Sequence, residues 1–312
     1  MAKFIITTDS SCDCAIDELR KNNIPVIFFN YSDEKQIYKD TMDVNGYKKF
    51  YEDMRNGSVF KTSQINPQAY YDFFKPLLIE QLPIIHVSLG SGLSNTINSI
   101  YIASSMLKED YPTCDIKPLD SKIASLGLTV LINKLIEYRD ADMDVDDALE
   151  KISSVVDNGL AYFTTDTLTY FARGGRLSKV GAFLGNALKI NPVLDVDPKG
   201  CLRITDKVRG SIKAIDTLTK RAKLNAVNPQ EQTVYVCHAD DEVKGTMLGN
   251  RLVNEVGFKG YKLYFMGPII GSHSGPGLVA TFFHGKTRSN QLTSLNKNQA
   301  EELQKELNKN YK

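Results

Sequence analysis

The first half of the chain alternates short apolar runs with longer amphipathic runs. The short runs have the length of buried strands, and the longer runs carry apolar residues at helical spacing. The pattern predicts strands over residues 4–8, 25–29, 83–88 and 115–119, and helices over 15–23, 44–54, 67–80, 93–107, 124–138 and 145–156. Alternating strands and helices favour a mostly parallel sheet with helices on both faces. We therefore predict an α/β lobe for this half.

The second half has a different rhythm, with more strands and fewer helices between them. Strands are predicted over residues 161–165, 192–196, 202–208, 233–239, 262–266 and 278–283, and helices over 241–255 and 296–309. Asp197-Pro198-Lys199-Gly200 is typical of a hairpin turn. A length of 312 residues exceeds what one core usually fills. We expect an α/β fold of two domains, 1–158 and 159–312, the second a mixed α/β lobe.

Composition excludes several classes of protein. With 38 Lys+Arg against 37 Asp+Glu, the net charge of +1 argues against a DNA-binding regulator. No apolar stretch approaches the roughly 20 residues that a membrane-spanning helix needs. The opening residues MAKFIITTDSSCDC resemble neither a signal peptide nor a transit peptide. The five cysteines include no CxxC pair, which predicts a reduced, cytoplasmic location and no metal site.

The motifs of several large enzyme classes are missing. The sequence contains no Walker A motif, no GxGxxG after a strand, no HExxH and no GxSxG. It has only four histidines. These observations argue against a metal-centred enzyme and against one built on a nucleophile elbow.

Three hydroxyl-rich segments lie in the first half. Thr7-Thr8-Asp9-Ser10-Ser11 closes the first predicted strand and is best explained as a helix cap. Lys61-Thr62-Ser63-Gln64 could cap the following helix or bind an anionic group. Residues 88–96, SLGSGLSNT, carry more hydroxyls between a strand and a helix than capping needs. Backbone N–H groups at a helix start attract anions, so this third segment favours ligand binding.

Two segments of the second half carry titratable or cationic side chains among glycines. Residues 267–277, GPIIGSHSGPG, place His273 in a loop shaped by Gly and Pro, which favours a functional histidine. The turn Arg173-Gly174-Gly175-Arg176 could grip a phosphate or carboxylate, or could be a turn with solvated arginines.

A series of segments occurs in a specific order along nearly the whole chain. They read TTDSSCD, TSQINP, SLGSGLSNT, LDSKIASLGLTV, FTTDTLTYFARGGRLSK, LGNALKINPVLDVDPKG, KVRGSIKAI, CHADD and IIGSHSGPG. In this order they resemble the DegV family of fatty-acid-binding proteins. The resemblance implies a two-domain α/β molecule that buries a long-chain fatty acid and is not itself an enzyme.

The resemblance also implies which residues hold the fatty acid. By motif, Thr62 and Ser94 contact the carboxylate, and Ser63 and Asn95 lie beside them. His273 lies next to these contacting residues and supports them without touching the carboxylate itself. Asn95 stands where the family usually has Gly. Because Asn tolerates left-handed backbone conformations, the turn is expected to survive.

Family members studied as subunits of a fatty acid kinase system present the bound acid to a separate ATP-dependent kinase. That kinase makes an acyl phosphate for phospholipid synthesis. Because the arginine-rich glycine turn belongs to a sequence with no catalytic set of its own, Arg176, together with Arg173, is expected to contact this kinase or the phosphate. No cofactor is implied beyond the bound acid. The near-neutral charge predicts only brief membrane contact.

Two other interpretations remain open from the sequence. Ser94 and His273 could serve a stand-alone acyl hydrolase, although no third triad member is evident. The protein could also carry another apolar carboxylic acid. The sequence does not select an acyl-chain length.

Overall fold

The computed structural model of the chain describes residues 2–177 and 190–291. Its first-half elements are β1 (Ile5–Asp9), α1 (Ile16–Lys21), β2 (Val26–Ile27), β3 (Asn30–Ser32), β4 (Ile37–Lys39), α2 (Tyr47–Arg55), β5 (Lys61–Ser63), α3 (Pro67–Phe74), β6 (Ile84–Ser88), α4 (Thr96–Asp110), β7 (Ile116–Asp120), α5 (Leu126–Asp140) and α6 (Val145–Asn158). The second-half elements are β8 (Gly159–Thr164), α7 (Thr169–Gly174), β9 (Ile190–Val196), β10 (Leu202–Arg209), α8 (Ser211–Asn225), β11 (Thr233–His238), α9 (Glu242–Arg251), β12 (Gly260–Phe265), α10 (Pro268–Ser274) and β13 (Val279–His284). The predicted helix over 296–309 lies outside the described residues.

The described strands form three sheets. A parallel sheet has the order β2-β1-β6-β7, and a mixed sheet has the order β10-β9-β8-β13-β11-β12. A small antiparallel sheet has the order β4-β3-β5. The predicted α/β fold is confirmed, with its parallel first-half sheet and its mixed second-half sheet. The antiparallel sheet was not predicted from the sequence, because its strands are only three residues long.

Several predicted elements differ from the observed ones for local reasons. The predicted helix over 67–80 is α-helical only to Phe74 and continues as a 3-10 turn. Pro76 has no N–H to donate, so the α-helical ladder cannot pass it. The predicted helix over 93–107 starts instead at Thr96, because the N–H groups of Leu93 and Ser94 both turn back to Gly90 O. The hydroxyl segment before α4 is therefore a longer loop than expected.

Helix α8 was not predicted, although its sequence carries a signal for it. Ala214, Ile215, Leu218 and Ala222 are buried at helical spacing along one face. This face packs in a core with Leu160, on the side of the mixed sheet away from the first half.

The largest apolar core contains side chains from both halves, among them Phe4, Leu131, Phe163 and Phe282. The boundary between domains 1–158 and 159–312 stays a prediction. No helix of the described residues is both long and apolar enough to cross a bilayer.

Candidate functional site

A cavity of about 420 Å³ lies where the two halves of the chain meet. Its apolar wall comes from the mixed sheet and from neighbouring loops and helices, and includes Ala161, Phe163, Val196, Leu202, Leu278, Ala280, Phe282, Phe171, Met266, Ile269, Phe29, Leu89 and Ile123. Its polar wall includes Thr62, Ser63, Gln64, Ser91, Ser94, Asn95, Arg176 and His273. The volume is in the range of small-molecule sites, which are mostly apolar with a few placed polar groups. Every ligand-binding residue predicted from the sequence lines this one cavity.

Thr62 and His273 meet at the cavity although 211 residues separate them in the sequence. The Oγ1 atom of Thr62 lies 2.8 Å from Nε2 of His273. Thr62 is held by β5, which pairs with β3, and His273 lies in the last turn of α10. Burial, reinforced by the positive charge of Arg176, lowers the pKa of His273 to about 4. The imidazole is therefore neutral at physiological pH.

Gly174, within the arginine turn, leaves the space that the ring of His273 occupies. A Cβ atom built at Gly174 would lie 2.3 Å from Nδ1 of His273, far inside van der Waals contact. The Nδ1 atom is buried and has no hydrogen-bond partner among the described residues. Gly174 closes one side of the ring and Thr62 holds the other. The sequence places this glycine in a turn, but no local pattern reveals its contact with His273.

The loop between β6 and α4 carries Ser94 and Asn95 to the cavity. Its start is tied down by two hydrogen bonds, from Leu89 N to Oδ2 of Asp9 and from Gly90 N to Ile123 O, both 2.9 Å. The Oγ atom of Ser94 accepts a hydrogen bond from Thr96 N at 3.3 Å. One lone pair of this hydroxyl is occupied, and its proton remains available to a ligand.

Hydrogen bonds join this loop to the other predicted segments. Gln64 donates from Nε2 to Asn95 O at 3.1 Å, and Arg176 donates from Nε to Leu93 O at 3.2 Å. The segment containing Thr62, the hydroxyl loop and the arginine turn therefore form one connected wall.

A second cavity of about 440 Å³ lies on the other side of this wall. Thr62, His273 and Arg176 line both cavities, and Lys61 and Arg173 line only the second. No acidic side chain belongs to its described lining. Arg176 bonds two backbone carbonyl oxygens, and Arg173 lies over the ring of Tyr170 at 5.9 Å. The second cavity therefore presents positive charge without a lining carboxylate.

The first hydroxyl segment has a structural role, in agreement with the cap predicted for it. Asp9 accepts hydrogen bonds from Ser11 N and from Leu89 N, and Ser10 Oγ accepts one from Phe29 N. These contacts fix the start of the hydroxyl loop against β1. Within residues 2–177 and 190–291, no group of three or more His, Cys, Asp or Glu side chains could hold a metal ion.

Comparison with known proteins gives consistent matches over most of the chain. The family model for DegV, described as a family of uncharacterised proteins, matches residues 3–286. A DegV domain-containing protein of Clostridium perfringens is 31% identical over 289 residues, which cover 92% of this chain and 99% of that protein.

Solved structures from Thermotoga maritima are also similar. One, described as a DegV lipid-binding protein, is 26% identical with a TM-score of 0.79 and covers 92% of this chain and 99% of its own. Another, described as revealing a fatty acid binding function, is 25% identical with a TM-score of 0.77 and covers 91% of this chain and 100% of its own. The matched family region includes all the cavity-lining residues named above.

Proposed function

The chain belongs to the DegV family, and we propose that it binds a long-chain fatty acid in the 420 Å³ cavity with the carboxylate at Thr62 and Ser94. The observation that carries the proposal is the contact of Thr62 with a neutral, half-buried His273 at the polar wall of an otherwise apolar cavity. The two Thermotoga maritima relatives, described as lipid-binding and as having a fatty acid binding function, support the same ligand class.

Burial of the acyl chain supplies the favourable free energy. Each methylene removed from water contributes about 0.8 kcal/mol, so a palmitoyl-type chain contributes on the order of 10 kcal/mol before ordering costs. The apolar wall built from Phe163, Val196, Leu202 and Phe282 is suited to this part of the ligand.

The carboxylate needs hydrogen-bond donors, because an ionised carboxylate only accepts and its burial without partners is costly. When Thr62 donates its single proton to the ligand, its oxygen accepts from the neutral histidine. The ring hydrogen of His273 then lies on Nε2, and the Nδ1 lone pair faces Gly174. Ser94 and its neighbours Ser63 and Asn95 complete the polar wall. No full cation is needed in direct contact, so the carboxylate stays reactive.

The bound acid is then presented to a partner, an ATP-dependent fatty acid kinase that forms an acyl phosphate for phospholipid synthesis. The second cavity supports this step, because Arg176, Arg173 and Lys61 line it directly behind Thr62 and His273. Guanidinium groups suit phosphate recognition. In this proposal the protein acts in the cytoplasm, contacts membranes briefly to take up its ligand, and draws on both domains, 1–158 and 159–312.

The carboxylate contacts are tested with the double variant Thr62→Ala/Ser94→Ala. Native mass spectrometry of freshly purified protein should show a copurifying fatty acid in the wild type and none in the variant. The control is Ser105→Ala/Thr217→Ala, which removes two exposed hydroxyls that bond only to their own helices. Full fatty acid occupancy in the Thr62→Ala/Ser94→Ala protein would show that the carboxylate lies elsewhere.

The role of Arg176 is tested by separating ligand binding from presentation. Arg176→Ala should retain the fatty acid in native mass spectra but lose acyl phosphate formation with a fatty acid kinase. Arg20→Ala, an exposed arginine paired with Asp17 on α1, is the control. Unchanged turnover in Arg176→Ala would remove this arginine from the mechanism.

The hydrolase interpretation predicts a different hydrogen bond from the one observed. His273 bonds Thr62 through Nε2, and Ser94 accepts from Thr96 N. Incubation of the protein alone with acyl esters and thioesters tests this alternative, since turnover that disappears in Ser94→Ala would favour it. A different apolar acid would be identified by its mass in the native spectra.

A further inference from the structure

The floor of the lipid cavity is set by the register between β8 and β13. These strands are antiparallel, with Ala161 opposite Phe282 and Phe163 opposite Ala280. Residues two apart on a strand share a face, and all four side chains line the cavity. Each small residue therefore has a large residue opposite it and another two positions along its own strand.

This arrangement produces a diagonal trough. Directly opposite residues have Cβ atoms about 5 Å apart, and diagonal neighbours about 7–8 Å apart. Ala161 and Ala280 form one diagonal and mark the low part of the floor. Phe163 and Phe282 form the other diagonal and rise on either side of it.

Neighbouring strands extend the apolar floor of the cavity across the sheet. Tyr162 is paired with Asp195, so Ala161 lies beside Val196, and Val196 is paired with Leu202 on β10. Adjacent strands are about 4.8 Å apart, so the row from Leu202 to Phe282 spans roughly 14 Å. One continuous row of apolar side chains therefore crosses four strands, with Ala161 as its low point between Val196 and Phe282.

We infer that the Ala161–Ala280 trough selects the shape and length of the acyl chain, taking a single unbranched polymethylene segment between the rings of Phe163 and Phe282. The inference rests on the proposed fatty acid binding and names the residues that set its specificity. The methyl side chains leave room for methylene groups, and the two rings leave no room for a branch beside them.

Filling the trough should remove part of the chain from the site. Ala161→Leu adds three carbon atoms at the floor, and a close-packed wall can accommodate them only by excluding a similar number of ligand carbons. Each excluded methylene weakens binding about fourfold. Long acids should therefore lose on the order of fiftyfold in affinity, and acids short enough to end before the trough should lose little.

The experiment compares delipidated wild type and variants against a series from lauric to arachidic acid, together with a methyl-branched acid. Ala161→Leu should shift the preferred chain to a shorter acid. Phe282→Ala, which opens the trough, should improve the branched acid relative to the straight acid of equal length. Phe283→Ala is the matched control, because Phe283 is the next residue of β13 but packs in the core on the opposite face of the sheet. It should leave the profile unchanged.

A uniform loss across the series in Ala161→Leu, or an equal shift in Phe282→Ala and Phe283→Ala, would overturn the trough as the specificity determinant. If the wild type binds none of the acids, the proposed fatty acid binding itself fails. If the wild type binds them and its profile persists unchanged in both trough variants, only the present inference fails.

Discussion

Replacing Gly174 with alanine would place a methyl group where the ring of His273 lies. The added Cβ would be 2.3 Å from Nδ1, 3.2 Å from Cγ and 3.3 Å from Cε1. The ring must then retreat by roughly 1 Å to reach an ordinary contact distance. Because Thr62 holds the other side of the ring, with its Oγ1 atom 2.8 Å from Nε2, the ring can make this room only by turning, which breaks the hydrogen bond to Thr62. Thr62 loses the partner that orients its hydroxyl toward the ligand carboxylate.

A hydrogen bond to a charged group contributes roughly 1.5–3 kcal/mol, so Gly174→Ala should weaken fatty acid binding about ten- to a hundredfold. The assay titrates delipidated protein with palmitic acid in competition with a fluorescent fatty acid analogue. Thermal unfolding is measured in parallel to show that the variant is folded. The neighbouring Gly175→Ala is the control, because a Cβ there meets no atom within 4 Å. Its positive φ of 67° makes alanine strained, so it should lose stability, by about 1 kcal/mol, with little change in affinity.

A double-mutant cycle identifies the mechanism. If Gly174→Ala acts through the hydrogen bond between His273 and Thr62, it should cost little further affinity in a Thr62→Ala background. Wild-type affinity of Gly174→Ala for palmitic acid, or a full effect of Gly174→Ala in the absence of the Thr62 hydroxyl, would refute this mechanism.

Further predictions concern stability and ligand release. Burial raises the pKa of Asp13 to about 8, above 3.8 when unfolded, so the folded protein holds a proton that the unfolded chain lacks. Asp13 should therefore lower the free energy of unfolding by roughly 2–3 kcal/mol between pH 6 and pH 9. Urea unfolding of Asp13→Asn should show a flatter dependence of stability on pH, and a slope equal to that of the wild type would contradict this prediction. Burial lowers the pKa of His86 to about 3, so the folded protein keeps this ring neutral while the unfolded chain takes up a proton. Stability should therefore fall as the pH drops below about 6.5. Acid unfolding of His86→Leu should begin at lower pH than in the wild type. Finally, a Cβ at Gly92 would lie 2.5 Å from the backbone of Gly200. Gly92→Ala should therefore separate the hydroxyl loop from the β9–β10 hairpin and speed fatty acid release about tenfold in stopped-flow measurements. A wild-type release rate would mean that this contact does not limit release of the ligand.

Much of the fold followed from local patterns. Strands β1, β6 and β8 and helices α5 and α6 were predicted to within a few residues, because each has a periodicity that is visible along the chain. The other elements divide into those with a weak local pattern and one with a clear pattern that the prediction did not include. The β3–β5 sheet consists of strands three residues long, whereas the helical spacing of α8 was present in the sequence.

The candidate site likewise has features that the sequence predicts and features that only the packing of the chain creates. The ordered motifs of the sequence determined the family, and the resemblance to that family predicted the roles of Thr62, Ser94 and His273. Hydroxyl and glycine residues at strand ends indicated the loops that carry a ligand site, because such residues leave a local signature. The tertiary structure alone decided that Thr62 meets His273 and that Gly174 must lack a side chain. It also decided the sheet register that sets Ala161 opposite Phe282. These contacts join residues far apart in the sequence, and their geometry depends on how the sheets and helices pack, which no local pattern specifies.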